Sequence, residues 1–101
     1  MAAQQDPVSV DPQHYTIELE NERVRVLRIK YGARERSEMH SHPDGVAVFL
    51  NDLHGRFTFP DGTSEDISGG AGDVVWLPAT THLPENLGDE PFEVIQIELK
   101  G

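Results

Sequence analysis

The sequence predicts an all-β sandwich or barrel. Three features lead there: short apolar runs, turn-forming residues recurring between them, and alternation of apolar and polar side chains along the runs. No stretch keeps a 3.6-residue apolar period, so no long helix is expected.

Each element has its own signal. Residues 1–13 form a polar arm with three Gln and two Pro, and residues 14–101 form the barrel domain. Tyr15-Thr16-Ile17-Glu18-Leu19-Glu20 alternates strictly, which puts Tyr15, Ile17 and Leu19 on one face. Asn21-Glu22 turns the chain into Val24–Tyr31, where the phase slips between Val26 and Leu27 and suggests a β-bulge or a strand passing between sheets. A polar connection, Gly32–Arg36, leads to an extended segment at Met39–His42. Pro43-Asp44-Gly45 is a turn, and Val46, Val48 and Leu50 mark the next strand.

In the second half, Gly55–Phe59 is a strand, and Pro60-Asp61-Gly62 is a tight hairpin turn in which Pro sets φ and Gly accepts a positive φ. Ser64–Ile67 is a short, charged edge strand. Gly69–Asp73 forms a corner before Val74–Leu77, and Thr80–Leu87 comes next. In the last strand Ile95, Ile97 and Leu99 are expected inward, with Val94, Gln96, Glu98 and Lys100 outward.

Composition limits the function classes. The chain of 101 residues is 37% hydrophobic, near the commonest single-domain size, and can fold without disulfides. Its net charge of −10 excludes nucleic acid and anionic membrane surfaces as natural partners. The longest apolar run, Val46–Leu50, is too short to span a bilayer, and no signal peptide is evident at the N-terminus. There is no cysteine, hence no thiolate ligand or nucleophile. A cytoplasmic protein is expected.

Chemistry concentrates in the histidines. His40 and His42 stand two apart in an extended segment, so their imidazoles leave one strand face and can reach one ion. His82, in another strand-like segment, can supply a third nitrogen. Three neutral imidazoles with open positions suit a divalent transition metal: Zn, Ni, Fe, Mn, Co or Cu. His14 and His54 read as solvent-facing. Trp76 reads as core or as a wall at the barrel mouth, where it could touch a ligand. Asn86, four residues after His82, could hold that imidazole, contact a ligand or form a turn. Arg23, Arg25 and Arg28 could bind a substrate carboxylate, or form a solvated sheet face paired with acids.

Around these residues the chain reads Gly32-x7-His40-x-His42-Pro43 and then Gly72-Asp73-Val74-Val75-Trp76-Leu77-Pro78-Ala79-Thr80-Thr81-His82-x3-Asn86. This resembles the two-motif signature of the cupin superfamily. The resemblance implies a single-domain cupin, a double-stranded β-helix or jelly-roll barrel, with the motif histidines in its mouth. Asn21–Leu27, His40-Ser41-His42-Pro43, Phe57–Gly62 and Glu85-Asn86 are similar to small cupins of the β-alanine degradation group, which implies small-molecule catabolism.

The departures are specific. The glutamate of the first motif would fall at Val46 or Ala47, neither of which ligates. Arg34 stands where the first motif has glycine, and Thr80 where the second has it. His82 comes four residues after Pro78, one fewer than the pattern. Glu38 shares the parity of the pair and is the first substitute carboxylate, ahead of Glu85 and Asp44. Two functions are expected from this set. One is a mononuclear metalloenzyme acting on a small polar metabolite. The other is a non-catalytic cupin that binds or senses a small molecule, its metal site degenerate or absent. Small cupins pair through barrel edges, so the resemblance implies a homodimer with the arm packed across its interface.

Overall fold

A computed structural model of the chain describes residues 5–101. Among them are nine strands: β1 (Tyr15–Glu20), β2 (Val24–Tyr31), β3 (His40–His42), β4 (Gly45–Phe49), β5 (Leu53–Thr58), β6 (Ser64–Gly69), β7 (Val74–Leu77), β8 (Thr80–Asn86) and β9 (Phe92–Leu99). They form two antiparallel sheets, one of order β1-β2-β9-β4-β7 and one of order β3-β8-β5-β6. The core between them draws Tyr15, Leu27, Ile29, Tyr31, Ala47, Phe49, Phe92 and Val94 from the larger sheet and Leu53 from the smaller. No helix among the described residues is long and apolar enough to cross a membrane.

The hairpin turn lies where the sequence puts it. Gly62 has φ +89°, and its N–H donates to the Phe59 carbonyl at 2.9 Å, so β6 returns along β5. A second glycine serves close approach. A Cβ at Gly45 would stand 2.4 Å from the Ile97 carbonyl oxygen, so only glycine lets β4 lie this near β9.

Two strand faces differ from expectation. β2 runs without interruption along β9, from Val24 opposite Leu99 to Tyr31 opposite Phe92, and the register shift lies in its other neighbour, between Ile17 and Leu19 of β1. Tyr15 is therefore buried, while Ile17 and Leu19 are exposed. β9 is inverted: Phe92, Val94, Gln96 and Glu98 point inward, and Leu99 is exposed outside. The cause is a larger sheet that is apolar on both faces, so polarity could not phase its strands. A row of outward side chains crosses all five strands, Leu19, Val26, Ile97, Val46 and Trp76 in register.

The arm has structure of its own. Pro7–Val10 is a short helix, α1, begun by proline and packed against β1 and β3 of the same barrel, with Pro7 buried. Residues 1–4 of the expected arm lie outside the described residues.

Candidate metal centre

β3 and β8 bring the histidines together. Their register sets His40 directly opposite His82, with His42 two residues along the same face. All three side chains are buried, and one nitrogen of each lies within 4.8 Å of the others. The ring centroids are 4.7 to 5.2 Å apart, and each pair of rings is within about ten degrees of perpendicular. Three imidazoles thus surround one point from three sides.

For His40 and His42 the hydrogen bonds settle which nitrogen faces that point. The His42 Nδ1–H donates to Glu98 Oε2 at 2.5 Å, and the His40 Nδ1–H to the Glu38 carbonyl at 2.8 Å. Each bond fixes a tautomer that leaves the Nε2 lone pair free. Among the described residues, His40 Nε2 and both nitrogens of His82 are buried without a partner. An unpaired buried polar group costs about 1–3 kcal/mol, so an ion that completes the cluster stabilises it. Burial, helped by the neighbouring His42, holds the His40 and His82 imidazoles neutral. His40 is lowered to about 4 and His82 to about 2. Neutral, buried, orphaned nitrogens are the donor set a divalent transition metal takes. His40, His42 and His82 fit that ion.

Each supported ligand connects onward. Glu98 Oε1 accepts from Arg25 Nη2 at 2.9 Å, and Arg25 also reaches Asp6 in the arm. Behind His40, the Ser37 hydroxyl lies 3.4 Å from Nδ1 and donates to Asp11. Asp11 in turn is 2.7 Å from His14 Nδ1, and His14 Nε2 is 3.0 Å from Glu35. His14 is buried and stacked on Tyr31 at 4.4 Å, not solvent-facing as the arm's composition suggested. Its two carboxylate partners hold it inside. His54 is exposed on β5.

A cavity of about 430 Å³ lies beside the triad, lined by His42 and His82 and otherwise mostly by apolar side chains. Phe57 packs 4.2 Å from the His82 ring, with Phe49, Leu53, Leu77 and Phe92 along the walls. This lining is apolar where a polar metabolite was expected. Gln96 enters the same cavity. It is 3% exposed, and its Nε2 has no partner among the described residues.

The remaining candidates lie elsewhere. Glu38 is exposed and contributes its backbone carbonyl, so it replaces no carboxylate ligand. Asp44 is exposed and accepts from the Ala79 N–H. Glu85 lines the cavity but is not among the clustered ligands. Trp76 is 55% exposed on the outer face of β7, because Val75 and Leu77 take the inward positions. Asn86 is a turn-former: Nδ2 donates to the Gly32 and Glu90 carbonyls, and Oδ1 accepts from the Gly88 N–H, which leaves nothing for His82 or a ligand. Arg25 is paired with Glu98 and Asp6, and Arg28 with Glu18 and Glu93, so neither is free for a substrate carboxylate. Arg23 is exposed.

Sequence reasoning missed Glu98, Gln96 and His14. Glu98 and Gln96 were hidden by the inverted face of β9. For His14 the signal was Asp11, three residues earlier on a turn.

No family model matches the chain, and no curated protein is detectably similar. Solved structures are. A cupin domain from Bordetella pertussis Tohama I is 26% identical over 86% of this chain and 92% of its own, with a TM-score of 0.79. A cupin 2 conserved barrel domain protein from Salinispora arenicola CNS-205 is 19% identical over 91% of this chain and 80% of its own, at 0.65. A polyketide cyclase from Streptomyces resistomycificus is 12% identical over 84% of this chain and 63% of its own, at 0.62.

Proposed function

We propose that this chain, a cupin β-barrel by fold, is a mononuclear metal-dependent enzyme acting on a small molecule held beside His40, His42 and His82. The observation that carries the reading is the set of orphaned nitrogens converging next to a 430 Å³ cavity. That volume is within the range of about 300–1,000 Å³ usual for small-molecule sites. A divalent transition metal bound there would polarise a substrate oxygen or activate water or dioxygen. The chain's own contribution is to present three buried imidazoles, to fix two of their tautomers through Glu98 and the Glu38 carbonyl, and to exclude water with Phe57 and its neighbours. The motif resemblance of His40-Ser41-His42-Pro43 and Glu85-Asn86 to small cupins of the β-alanine degradation group is the ground for proposing a place in catabolism.

Elemental analysis of the untagged protein tests it. About one transition-metal ion per chain is expected in the parent, and none in His40→Ala or His82→Ala. Metal far below stoichiometric in all three, even after reconstitution, would overturn it. One observation favours a binding protein instead. Glu98, the carboxylate nearest the triad through His42, is committed to His42 and Arg25 and is no free base. Ligand-dependent stabilisation without turnover would favour that reading.

We further propose a homodimer formed through the outer face of the larger sheet. Val74, Trp76, Leu19 and Leu99 are exposed on it, and its five strands carry three cations and four acids where the chain as a whole carries −10. Two copies repel each other everywhere but on such a near-neutral apolar face, so the partner it fits is a second copy.

A further inference from the structure

We infer that the site selects an organic oxyanion with an apolar body, because the chain offers a bound ion no negative charge of its own. The inference rests on reading His40, His42 and His82 as the holders of a divalent ion, and it names the class of ligand that completes the site.

The donor set carries no charge. An imidazole ligates in its uncharged form, and among the described residues no carboxylate joins the three histidines. On β4, Val46 points outward and Ala47 lines the cavity with a methyl group, so neither brings an oxygen to the triad. The buried carboxylates of the described residues, Glu98 and Asp11, stand behind the rings, on the Nδ1 sides of His42 and His40. Glu98 is shared with Arg25, and Asp11 lies beyond Ser37 and is bonded to His14.

The cavity supplies no charge either. Among the described residues no Lys or Arg lines it. Asp66 and Glu85 border it but pair across the strands with Arg56, which lies on the outer face because Gly55 and Phe57 take the inward positions. The Arg56 Nε–H donates to Asp66 at 2.9 Å. What faces inward is apolar: Phe57 against His82, with Leu53, Leu77 and Phe92 along the walls. A dication in such surroundings is the largest local charge, poorly screened and costly to bury unpaired. A ligand that presents an oxyanion pairs that charge, and a neutral molecule does not. The rest of the ligand meets walls that gain by covering an apolar body. Hydroxide and small inorganic anions satisfy only the first of these two conditions.

The test uses cobalt(II)-loaded protein, whose visible absorption reports the ligands of the ion. Benzoate is compared with benzamide, its uncharged counterpart, and with acetate, the same anion without the ring. Benzoate is expected to change the cobalt spectrum and, by calorimetry, to bind the loaded protein at least about tenfold tighter than the metal-free protein. Acetate should change the spectrum too, but bind about tenfold more weakly than benzoate, the difference made by burying the ring. Benzamide should leave the spectrum unchanged. The inference is overturned if benzoate binds loaded and metal-free protein equally, if benzamide binds as tightly as benzoate, or if acetate matches benzoate. Cobalt content measured in the same samples keeps the two readings apart. Protein that takes up no cobalt overturns the metal site and the inference with it, whereas loaded protein indifferent to benzoate overturns the oxyanion alone.

Discussion

Glu98 and His42 form a buried pair: the imidazole Nδ1–H donates to Oε2 at 2.5 Å, and both side chains are 3% exposed. A carboxylate behind an imidazole orients the ring and raises its basicity toward a metal. Glu98→Ala is therefore expected to weaken zinc binding by about 10- to 100-fold. Glu98→Gln, which still accepts the bond, should lose less. Competition with a chelator of known affinity measures both, and equal affinity in parent and Glu98→Ala would refute the role.

Removing His82 separates stability from metal binding. Its two unpartnered nitrogens cost the metal-free fold, so His82→Leu should raise metal-free stability by about 1 kcal/mol or more. Zinc should raise the melting temperature of the parent and leave that of His82→Leu unchanged. A zinc-dependent rise in the variant equal to the parent's would place the ion elsewhere.

The same residues set a pH dependence. In the unfolded chain His40 and His82 take up protons near their ordinary pKa of about 6.5, whereas in the folded metal-free protein they resist until about 4 and about 2. Between these limits the unfolded state binds more protons, so stability falls as the pH falls. From pH 7 to 5 the loss should be about 2 kcal/mol per histidine. The carboxylates with lowered pKa, Asp6 and Asp66 among them, act at lower pH, outside this window. Urea denaturation of the metal-free protein at the two pH values checks it. His82→Leu should roughly halve the difference, and an unchanged difference would count against the assignment.

For the dimer, the central row of the outer face is the place to intervene. Trp76→Glu, together with Ile97→Lys in a second variant, should convert a dimer to a monomer in sedimentation equilibrium. Trp76 fluorescence in the parent should be shifted to the blue of a solvated indole at concentrations where the dimer holds. A parent that sediments as a monomer throughout rules the interface out.

Much of this was legible in the residues. The strand Val74–Leu77, the hairpin at Pro60–Gly62 and the convergence of His40, His42 and His82 come from period-two spacing, turn chemistry and donor type. Most of what failed has one physical origin. Phasing a strand from polarity assumes one wet face, and in β9 the apolar Ile95, Ile97 and Leu99 lie outside while Gln96 and Glu98 lie within. With β9 reversed, polarity assigns to solvent the two polar residues that face the interior. Trp76 failed in the same way, as an outward residue on an apolar run. His14 failed for another reason, and for the same reason the turn reading of Asn86 could not be chosen over its alternatives. Their partners, the Gly32 carbonyl and Glu35, come from distant segments that no local pattern brings together.

The sequence reads residues 1–13 as a polar arm, but two hydrogen-bonded chains start from Asp6 and Asp11 within it. Asp6 reaches His42 through Arg25 and Glu98, and Asp11 reaches His40 through Ser37. The rear support of two imidazoles is thus anchored in the arm, outside the strands that carry the ligands. Shortening the N-terminus past Asp11 would act on the site as a mutation behind its ligands would, without touching any residue near the cavity mouth.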